Sequence, residues 1–434
     1  ILENERRGDY LGGTVQFVPH VTDEIKRCIF ESEHATGADV VITEIGGTVG
    51  DIEGLAILEA IRQIRYDLGP TNTIIVHTTL VPFLYGSNEL KTKPSQQSVI
   101  ELRRIGLQPD IIVARAPSYL TEDLKAKLSL FSSISKNHII SATDVDNIYQ
   151  IPINFYNQKI DEIILERFGL KLKPIKFDNW LNLMKRVKAE DKKTVEIALV
   201  GKYVSLQDAY LSVVESLKHA GCEENVDVNV HWIDSEELES KNSKSVFKKI
   251  DGIIVPGGFG KRGIEGKIKA IKYARENNVP FLGLCLGLQL AAIEFARNVC
   301  KIDNANSREF NELLEKPVID IMEEQKKIIN LGGTMRLGNY DCTIKPGTLA
   351  YKLYKNKNIV ERHRHRYEFN NDYQKVFEEK GMIFSGINKP SNLIEILEYK
   401  KHPFFVGCQF HPEFKSRPIR SHPLFRGFIQ ASKK

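Results

Sequence analysis

The sequence predicts an α/β protein with two doubly wound domains, each built on a mostly parallel sheet. The chain has 434 residues, enough for two hydrophobic cores. Apolar runs of strand length alternate along it with segments of helical period. A Lys-rich, weakly periodic stretch at 169–193 separates the halves. We therefore expect domains at residues 1–168 and 194–434, joined by an exposed linker at 169–193.

Composition is that of an ordinary globular protein and excludes several classes of partner and site. Apolar residues make up 42% and charged residues 27%, and the formal net charge is +5. Such a small charge without a clustered basic stripe predicts no nucleic-acid partner. No apolar run is long enough for a membrane span. The 6 cysteines include no CxxC pair, so we expect a cytoplasmic protein without disulfides or a zinc site.

Apolar runs rich in β-branched residues predict the strands, and apolar residues three and four apart predict the helices. The predicted strands cover residues 40–45, 73–77, 111–114, 195–200, 252–255 and 279–282. The predicted helices cover residues 55–67 and 209–219, with further helices after residues 96 and 287.

Cys285 lies at the centre of Gly-Leu-Cys-Leu-Gly, between a predicted strand and a predicted helix. This is the cysteine form of the nucleophile elbow, in which flanking glycines let the chain bend sharply and hold the side chain out. An isolated cysteine is most often a small core residue. The glycines and the strand-to-helix turn favour a catalytic nucleophile instead.

Two further segments could complete a site for acyl transfer. In His-Pro-Glu at 411–413, alternate residues point the same way, so His411 could take the thiol proton while Glu413 orients the ring. A surface His beside a Glu is the alternative. The glycine-rich run at 255–260 follows a strand, and its N–H groups, with that of Leu286, could form an oxyanion hole or merely a turn.

The first half carries two segments suited to a nucleotide. Glu44 ends an apolar run before a glycine loop, which is how nucleotide enzymes place a Mg²⁺ ligand near phosphates, although Asp51 after the loop could be a plain helix cap. Residues 91–96 gather lysines, hydroxyls and free N–H groups before a helix. This arrangement suits a triphosphate, with simply solvated lysines as the alternative.

The strings at 256–260, 283–289 and 409–413 resemble the three signatures of class I, triad-type glutamine amidotransferases. The resemblance covers about residues 194–434. It implies that Cys285 attacks the carboxamide of glutamine, that His411 and Glu413 complete the triad, and that ammonia is released.

The strings at 6–12, 44–53, 91–96, 331–336 and 361–367 are similar, in order, to the CTP synthase family. This resemblance spans essentially the whole chain and implies a P-loop-like synthetase domain before the amidotransferase domain. ATP would phosphorylate O4 of UTP, and ammonia from L-glutamine would displace that phosphate to give CTP. GTP activation, CTP feedback inhibition and a cytoplasmic homotetramer are also implied.

The resemblance assigns roles to individual residues. Glu44 would be a Mg²⁺ ligand, and the loop at 332–336 would be a lid involved in GTP activation. The glutamine-binding residues would be Gly258, Leu286, Gly287, Leu288, Gln289, Glu309 and Arg366. Contacts to the feedback inhibitor would come from Asp51, Ile52 and Glu53, and contacts to UTP or CTP from Lys91, Thr92, Lys93, Pro94, Ser95, Gln96 and Lys127. Contacts to ATP would come from Thr143, Asp144 and Val145.

The sequence departs from the family pattern in places. The family opens with a phosphate loop and a second acidic Mg²⁺ ligand, whereas this chain starts beyond them at Ile1, so we expect an N-terminally incomplete synthetase domain. Thr143 stands where the family commonly has Lys, so the ATP contact there would use backbone or hydroxyl. Two alternatives stay open: a stand-alone glutaminase without synthetase activity and a non-catalytic scaffold.

Overall fold

The structure is a computed structural model and describes residues 1–202, 204–321 and 335–433. The chain divides into two compact units, Ile1–Lys176 and Phe177–Lys434. Strands and helices alternate in both units, which confirms the predicted α/β class. Within the described ranges, no helix is both long enough and apolar enough to cross a membrane.

The first unit contains a three-stranded parallel sheet of order β1-β4-β5. The strands of this unit are β1 (Val76–Leu80), β2 (Phe83–Leu84), β3 (Glu89–Leu90), β4 (Ile111–Ala116) and β5 (Ile139–Thr143). Strands β2 and β3 pair only with each other. The helices of this unit are α1 (Leu2–Arg7), α2 (Thr22–Thr36), α3 (Leu55–Leu68), α4 (Lys93–Arg104), α5 (Glu122–Ser132), α6 (Ile151–Asn157) and α7 (Ile160–Arg167). The central strand β4 is buried along most of its length because neighbours cover both of its faces.

The prediction of a strand at residues 40–45 is wrong. These residues form no strand, and Ile42 is 91% exposed. An apolar run becomes a strand only when its backbone pairs with a neighbour, and here the sheet ends at β1 without pairing to this segment. The strand predicted at 73–77 begins instead at Val76 and continues to Leu80.

The second unit is built on a nine-stranded sheet of order β12-β11-β14-β15-β16-β9-β8-β6-β7. The strands of this unit are β6 (Lys193–Gly201), β7 (Val226–Asp234), β8 (Gly252–Val255), β9 (Phe281–Leu284), β10 (Ile319–Ile321), β11 (Arg336–Ile344), β12 (Asn358–His365), β13 (Tyr367–Phe369), β14 (Met382–Asn388), β15 (Leu393–Tyr399) and β16 (Phe405–Cys408). Strands β10 and β13 form a separate two-stranded sheet. The helices of this unit are α8 (Asp178–Val187), α9 (Leu211–Glu224), α10 (Ser235–Ser240), α11 (Ser243–Val246), α12 (Ile264–Glu276), α13 (Leu286–Asn298), α14 (Leu349–Tyr354), α15 (Gln374–Glu379) and α16 (Pro423–Ser432).

The predicted linker contains a helix. Residues 178–187 form α8, in which Leu183 and Met184 are buried, and α8 contacts α9. The apolar side chains lie three and four residues apart on one face of a lysine-containing segment, so its composition resembles a linker while its spacing favours packing.

Five strands of the large sheet, from β16 through β9, β8 and β6 to β7, run parallel. The helices α12 and α13 bury one face of this part, and α9 and α16 bury the other. Strands covered on both faces read as continuous apolar runs, which is why β8 and β9 were predicted from sequence. Because parallel strands end at the same edge, the segments after β8, β9 and β16 emerge side by side.

Candidate active site

Cys285 occupies the turn between β9 and α13. Its backbone has φ 52° and ψ −100°, a strained conformation for a residue with a side chain. The turn is held by hydrogen bonds from the Cys285 N–H to the Cys408 carbonyl oxygen (2.7 Å) and from the Gln289 N–H to the Cys285 carbonyl oxygen (3.2 Å). The geometry is that of the nucleophile elbow predicted from sequence.

The glycines around the turn have a steric role. A Cβ atom on Gly287 would lie 2.2 Å from the Val255 carbonyl oxygen, and one on Gly283 would lie 2.7 Å from the Gly287 backbone. Neither glycine has a positive φ, whereas Cys285 does. The glycines therefore allow β8, β9 and α13 to approach closely, and the unusual torsion falls on the cysteine itself.

His411 reaches the elbow because β16 lies beside β9. The two strands pair in parallel with Cys408 opposite Leu284, so the chain leaves β16 next to Cys285. A Cβ atom on Gly257 would lie 3.0 Å from His411 Cε1 and 3.7 Å from Cys285 Cβ. The glycine-rich loop after β8, the thiol and the imidazole therefore meet at one point.

Glu413 completes a line of three groups. The Nδ1 atom of His411 lies 2.7 Å from Oε1 of Glu413, and both side chains are largely buried. Burial lowers the pKa of His411, but the charge and hydrogen bonding of Cys285, together with Glu413, outweigh it and raise this pKa to about 11. Within the described ranges, His411 Nε2 is buried without a hydrogen bond of ordinary geometry, so it is available to the sulfur.

Two glutamine side chains that were not predicted together support the thiol. Gln409 Nε2 donates to Cys285 Sγ over 3.6 Å, and Gln289 Nε2 donates to Gln409 Oε1 (3.3 Å) and to the Tyr367 carbonyl oxygen (2.9 Å). Sequence reasoning had assigned Gln289 to glutamine binding and missed Gln409. The spacing of two residues between Gln409 and His411 was a partial signal, because alternate residues of an extended chain point the same way. The contact with Cys285 also depends on the register of β16 against β9.

A cluster of charged groups surrounds the glycine-rich loop. Glu309 Oε1 accepts a hydrogen bond from the Gly260 N–H (2.7 Å), and Lys202 Nζ donates to the Gly260 carbonyl oxygen (2.6 Å) and to that of Phe259. Burial raises the pKa of the Glu309 carboxyl, while the Gly260 N–H and the nearby cations Lys202, Arg366 and Lys267 oppose the shift. Lys202 and Lys267 were not predicted from sequence.

The other residues expected to bind glutamine lie around the elbow. A Cβ atom on Gly258 would lie 3.5 Å from Leu286 Cδ2, so these two residues face each other. Leu288 is fully buried, with its Cβ 3.1 Å from the position a Cβ on Gly407 would take, and therefore packs in the core. Arg366 is half-buried after β12.

The nucleotide-binding candidates fall into two groups in the first unit. Residues 91–96 begin α4 beside the end of β1, where Ser95 Oγ donates to the Leu80 carbonyl oxygen and Gln96 Nε2 to Thr92 Oγ1, each over 2.9 Å. Thr143 ends β5, and the Asp144 N–H donates to the Ala116 carbonyl oxygen at the end of β4 (3.3 Å). Both groups therefore lie at the carboxyl edge of one parallel sheet, the usual ligand-binding edge.

The remaining candidates lie away from that sheet edge or are exposed. Asp51, Ile52 and Glu53 are exposed before α3, and Asp51 Oδ2 accepts from the Thr48 N–H (3.2 Å), which is a turn contact. Lys127 is exposed on α5, and Glu44 is exposed on the unpaired segment. No group of three or more His, Cys, Asp or Glu able to hold a metal occurs among the residues with described positions.

Part of the predicted lid lies outside the described residues, namely positions 332–334. Arg336, at the end of that loop, begins β11 and is buried. Its Nη1 atom lies 2.7 Å from Oε1 of Glu395 and 3.3 Å from Oε1 of Glu368. Arg336 is therefore engaged in a buried ion-pair network.

Comparison with known protein families and sequences covers the whole chain. Residues 1–170 match the family described as CTP synthase N-terminus, and residues 205–431 match glutamine amidotransferase class-I. The chain is 53% identical over 432 residues to the CTP synthase of Halalkalibacterium halodurans and 55% identical over 433 residues to that of Staphylococcus saprophyticus. Each alignment covers 100% of this chain and 81% of the relative.

One solved structure resembles the second half of the chain. It is the glutaminase domain of a Trypanosoma brucei CTPS with bound acivicin, with 40% sequence identity and a TM-score of 0.52. The match covers 55% of this chain and 93% of that one.

Proposed function

The chain belongs to the CTP synthase family, and from that premise we propose how its residues divide the reaction. The family reaction is the ATP-dependent amination of UTP to CTP with ammonia from L-glutamine. We propose that the second unit releases the ammonia and that the first unit binds the nucleotides. The observation that carries the proposal is the convergence of Cys285, His411 and Glu413 at the edge of the large sheet.

In the proposed hydrolysis, His411 takes the proton of Cys285, and the sulfur attacks the carboxamide carbon of glutamine. N–H groups of residues 257–259 and of Leu286 stabilise the oxyanion. His411 then returns the proton to the leaving nitrogen, so that ammonia departs and a thioester remains. Water attacks the thioester with His411 as base, releasing glutamate and restoring the thiol. The pKa of His411, raised beside the sulfur, favours the imidazolium form that this exchange requires.

We propose that two charged side chains beside the elbow, Glu309 and Arg366, bind the substrate glutamine. The Glu309 carboxylate has the charge to bind the α-ammonium group of glutamine, and the Arg366 guanidinium has the charge to bind its α-carboxylate. Gly258, Leu286, Gly287, Leu288 and Gln289 would shape the site mainly through the backbone, because Leu288 is fully buried and Gln289 holds Gln409.

For the first unit, we propose that residues 91–96, Lys127 and residues 143–145 contact UTP, CTP and ATP, with residues 51–53 contacting the feedback inhibitor. Mg²⁺ typically keeps several waters and binds through one or two carboxylates and substrate phosphates. Glu44 fits only as a single ligand of a nucleotide-bound ion, since the described residues offer no larger acidic group around it. On the same premise we propose GTP activation and a cytoplasmic homotetramer.

The test measures glutamate release and CTP formation from UTP, ATP and Mg²⁺, with either glutamine or ammonia as nitrogen source. Cys285→Ala should abolish both glutamine-dependent signals and leave ammonia-dependent CTP formation intact. Cys300→Ala, a half-buried cysteine after α13, is the matched control and should retain all activities. Glutamate release without CTP from either source would support a stand-alone glutaminase, and absence of glutamate release would overturn the proposed triad.

A further inference from the structure

Lys267 is a buried lysine without a hydrogen-bond partner. It lies in the first turns of α12 with 0% of its surface exposed. Among the residues the structure describes, its Nζ atom finds no hydrogen-bond partner. A buried, unpaired ammonium group is costly, and an apolar side chain of similar volume would fill the space without that cost.

Lys269, two residues along the same helix, shows the ordinary arrangement. Its Nζ donates to the carbonyl oxygens of Leu238 (3.2 Å), Glu239 (2.8 Å) and Lys241 (3.3 Å) around the end of α10. Lys269 therefore ties two helices together, whereas Lys267 makes no comparable structural contact. The burial of Lys267 therefore has to be explained by the groups that surround its ammonium group.

The ammonium group of Lys267 lies beneath the glycine-rich loop of the active site. A Cβ atom on Gly258 would be 3.8 Å from Lys267 Nζ. Two residues further on, the Gly260 N–H donates to Glu309 Oε1 (2.7 Å). The loop thus has Lys267 against Gly258 and the Glu309 carboxylate against Gly260.

We propose that Lys267 is a positioning residue that keeps Glu309 ionised, and so able to bind the ammonium group of glutamine. This inference rests on the proposed role of Glu309 in glutamine binding. Lys267 acts through Glu309 and touches no reacting atom.

Several charged and titratable groups surround this pair. The cations Lys202, Arg366 and Lys267 oppose the rise in the pKa of Glu309, and the Glu309 charge in turn raises the pKa of Tyr367. The charges that act on Lys202 are those of Glu309, Arg262 and Glu236. Lys202 already donates to two carbonyl oxygens of the loop. Lys267 is enclosed by protein, so its field is weakly screened by solvent and salt.

The ionisation of Lys267 matches this task. Burial, together with the charge of Lys202, lowers the pKa of Lys267 to about 7, while Glu309 opposes the shift. The ammonium group is therefore charged on the acid side of neutrality. Burial raises the pKa of Glu309, so the acid side is also where its carboxylate begins to lose its charge. Lys267 is therefore charged in the pH range in which Glu309 would otherwise take up a proton.

The test is the pH dependence of KM for glutamine, measured by glutamate release from the full chain. In Lys267→Met the pKa of Glu309 rises, so the increase in KM at acid pH should begin at a higher pH. A shift of one pH unit corresponds to a KM up to about tenfold above wild type at pH values below the wild-type pKa of Glu309. At pH 8.5 the two KM values should agree within about twofold, and kcat should change little, because Lys267 touches no reacting atom.

Three controls make the result specific. Lys269→Met removes a lysine charge from the same helix and should leave the KM profile unchanged. Lys267→Gln removes the same charge with different packing and should reproduce the shift. Glu309→Gln should abolish the acid limb altogether, because no carboxyl remains to titrate.

The outcomes separate this inference from the proposed function. If wild type releases no glutamate, the proposed function fails. If wild type is active and folded Lys267→Met and Lys267→Gln keep the wild-type profile, Lys267 has no role in glutamine binding. A loss of kcat at all pH values in both variants would also overturn the inference.

Discussion

The Nδ1 atom of His411 lies 2.7 Å from Oε1 of Glu413. A carboxylate can only accept a hydrogen bond, so Nδ1–H is the donor, and Nε2 is left to exchange a proton with the thiol. The contact therefore fixes both the orientation of the ring and its tautomer.

Glu413→Gln should lower kcat for glutamine hydrolysis by roughly 10²-fold or more, because an amide does not stabilise the imidazolium and can impose the wrong tautomer. The measurement is glutamate release at saturating glutamine. Ammonia-dependent CTP formation is the internal control and should be unaffected. A change in kcat smaller than about threefold would show that His411 does not depend on Glu413.

Gly287→Ala should destabilise the second unit by at least about 2 kcal/mol, because its methyl group would lie 2.2 Å from the Val255 carbonyl oxygen, a backbone atom. Trp180 and Trp232, the only tryptophans, both lie in that unit, so their fluorescence during urea denaturation reports on it. Gly86→Ala, where an added Cβ meets no atom within 4 Å, should leave the midpoint unchanged. Equal midpoints for the two variants would argue against the close packing of β8 and α13.

Lys267→Met should raise the free energy of unfolding of the second unit by about 1–4 kcal/mol at pH 6, because it removes an unpaired buried charge. The pKa of this lysine is about 7 in the fold, against 10.5 for a solvated lysine. Between these values the unfolded chain holds a proton that the folded chain lacks, so wild-type stability rises by about 1.4 kcal/mol per pH unit from this group.

The advantage of Lys267→Met should therefore be largest below pH 7 and shrink as the pH rises toward 10. Tryptophan fluorescence in urea at several pH values measures it. Lys269→Met should instead be less stable than wild type, because its ammonium group has three carbonyl partners. An advantage that grows with pH would contradict the assigned ionisation of Lys267.

Asp110→Ala should destabilise the first unit by about 3 kcal/mol. The carboxylate accepts from the Ile75 N–H (2.8 Å), from both terminal nitrogens of Arg65 (2.8 and 3.0 Å) and from Arg167 (3.0 Å). Hydrogen–deuterium exchange of the peptide containing Ile75 should accelerate, while the tryptophan transition of the other unit stays unchanged. Asp123→Ala, an exposed acid on α5, is the matched control, and similar exchange in both variants would contradict the prediction.

Local sequence patterns predicted the elbow well, because its strand, turn and helix are encoded within about twenty consecutive residues. The burial of Lys267 was missed although the signal existed: Ile264 and Ile271 lie three and four residues from it on the same helical face. Lysine is so rarely buried that a lysine between two isoleucines does not predict a buried position on this face of α12.

Residues 40–45 show the opposite failure. Their apolar run has strand propensity, but a strand also needs a neighbouring backbone to pair with, and pairing is a property of the sheet. The contact of Gln409 with Cys285 was missed for a related reason. It depends on the register of β16 against β9, which sequence alone does not reveal.

The position of β16 ties activity to the order in which the chain is synthesised. This strand joins the parallel part of the large sheet to the antiparallel part, yet in chain order it follows every other strand of that sheet. A nascent chain that has not yet delivered residues 405–408 has Cys285 on an unfinished sheet edge and no imidazole beside it. The proposed triad therefore requires that residues 405–411 have left the ribosome, and we expect shorter nascent chains to release no ammonia from glutamine.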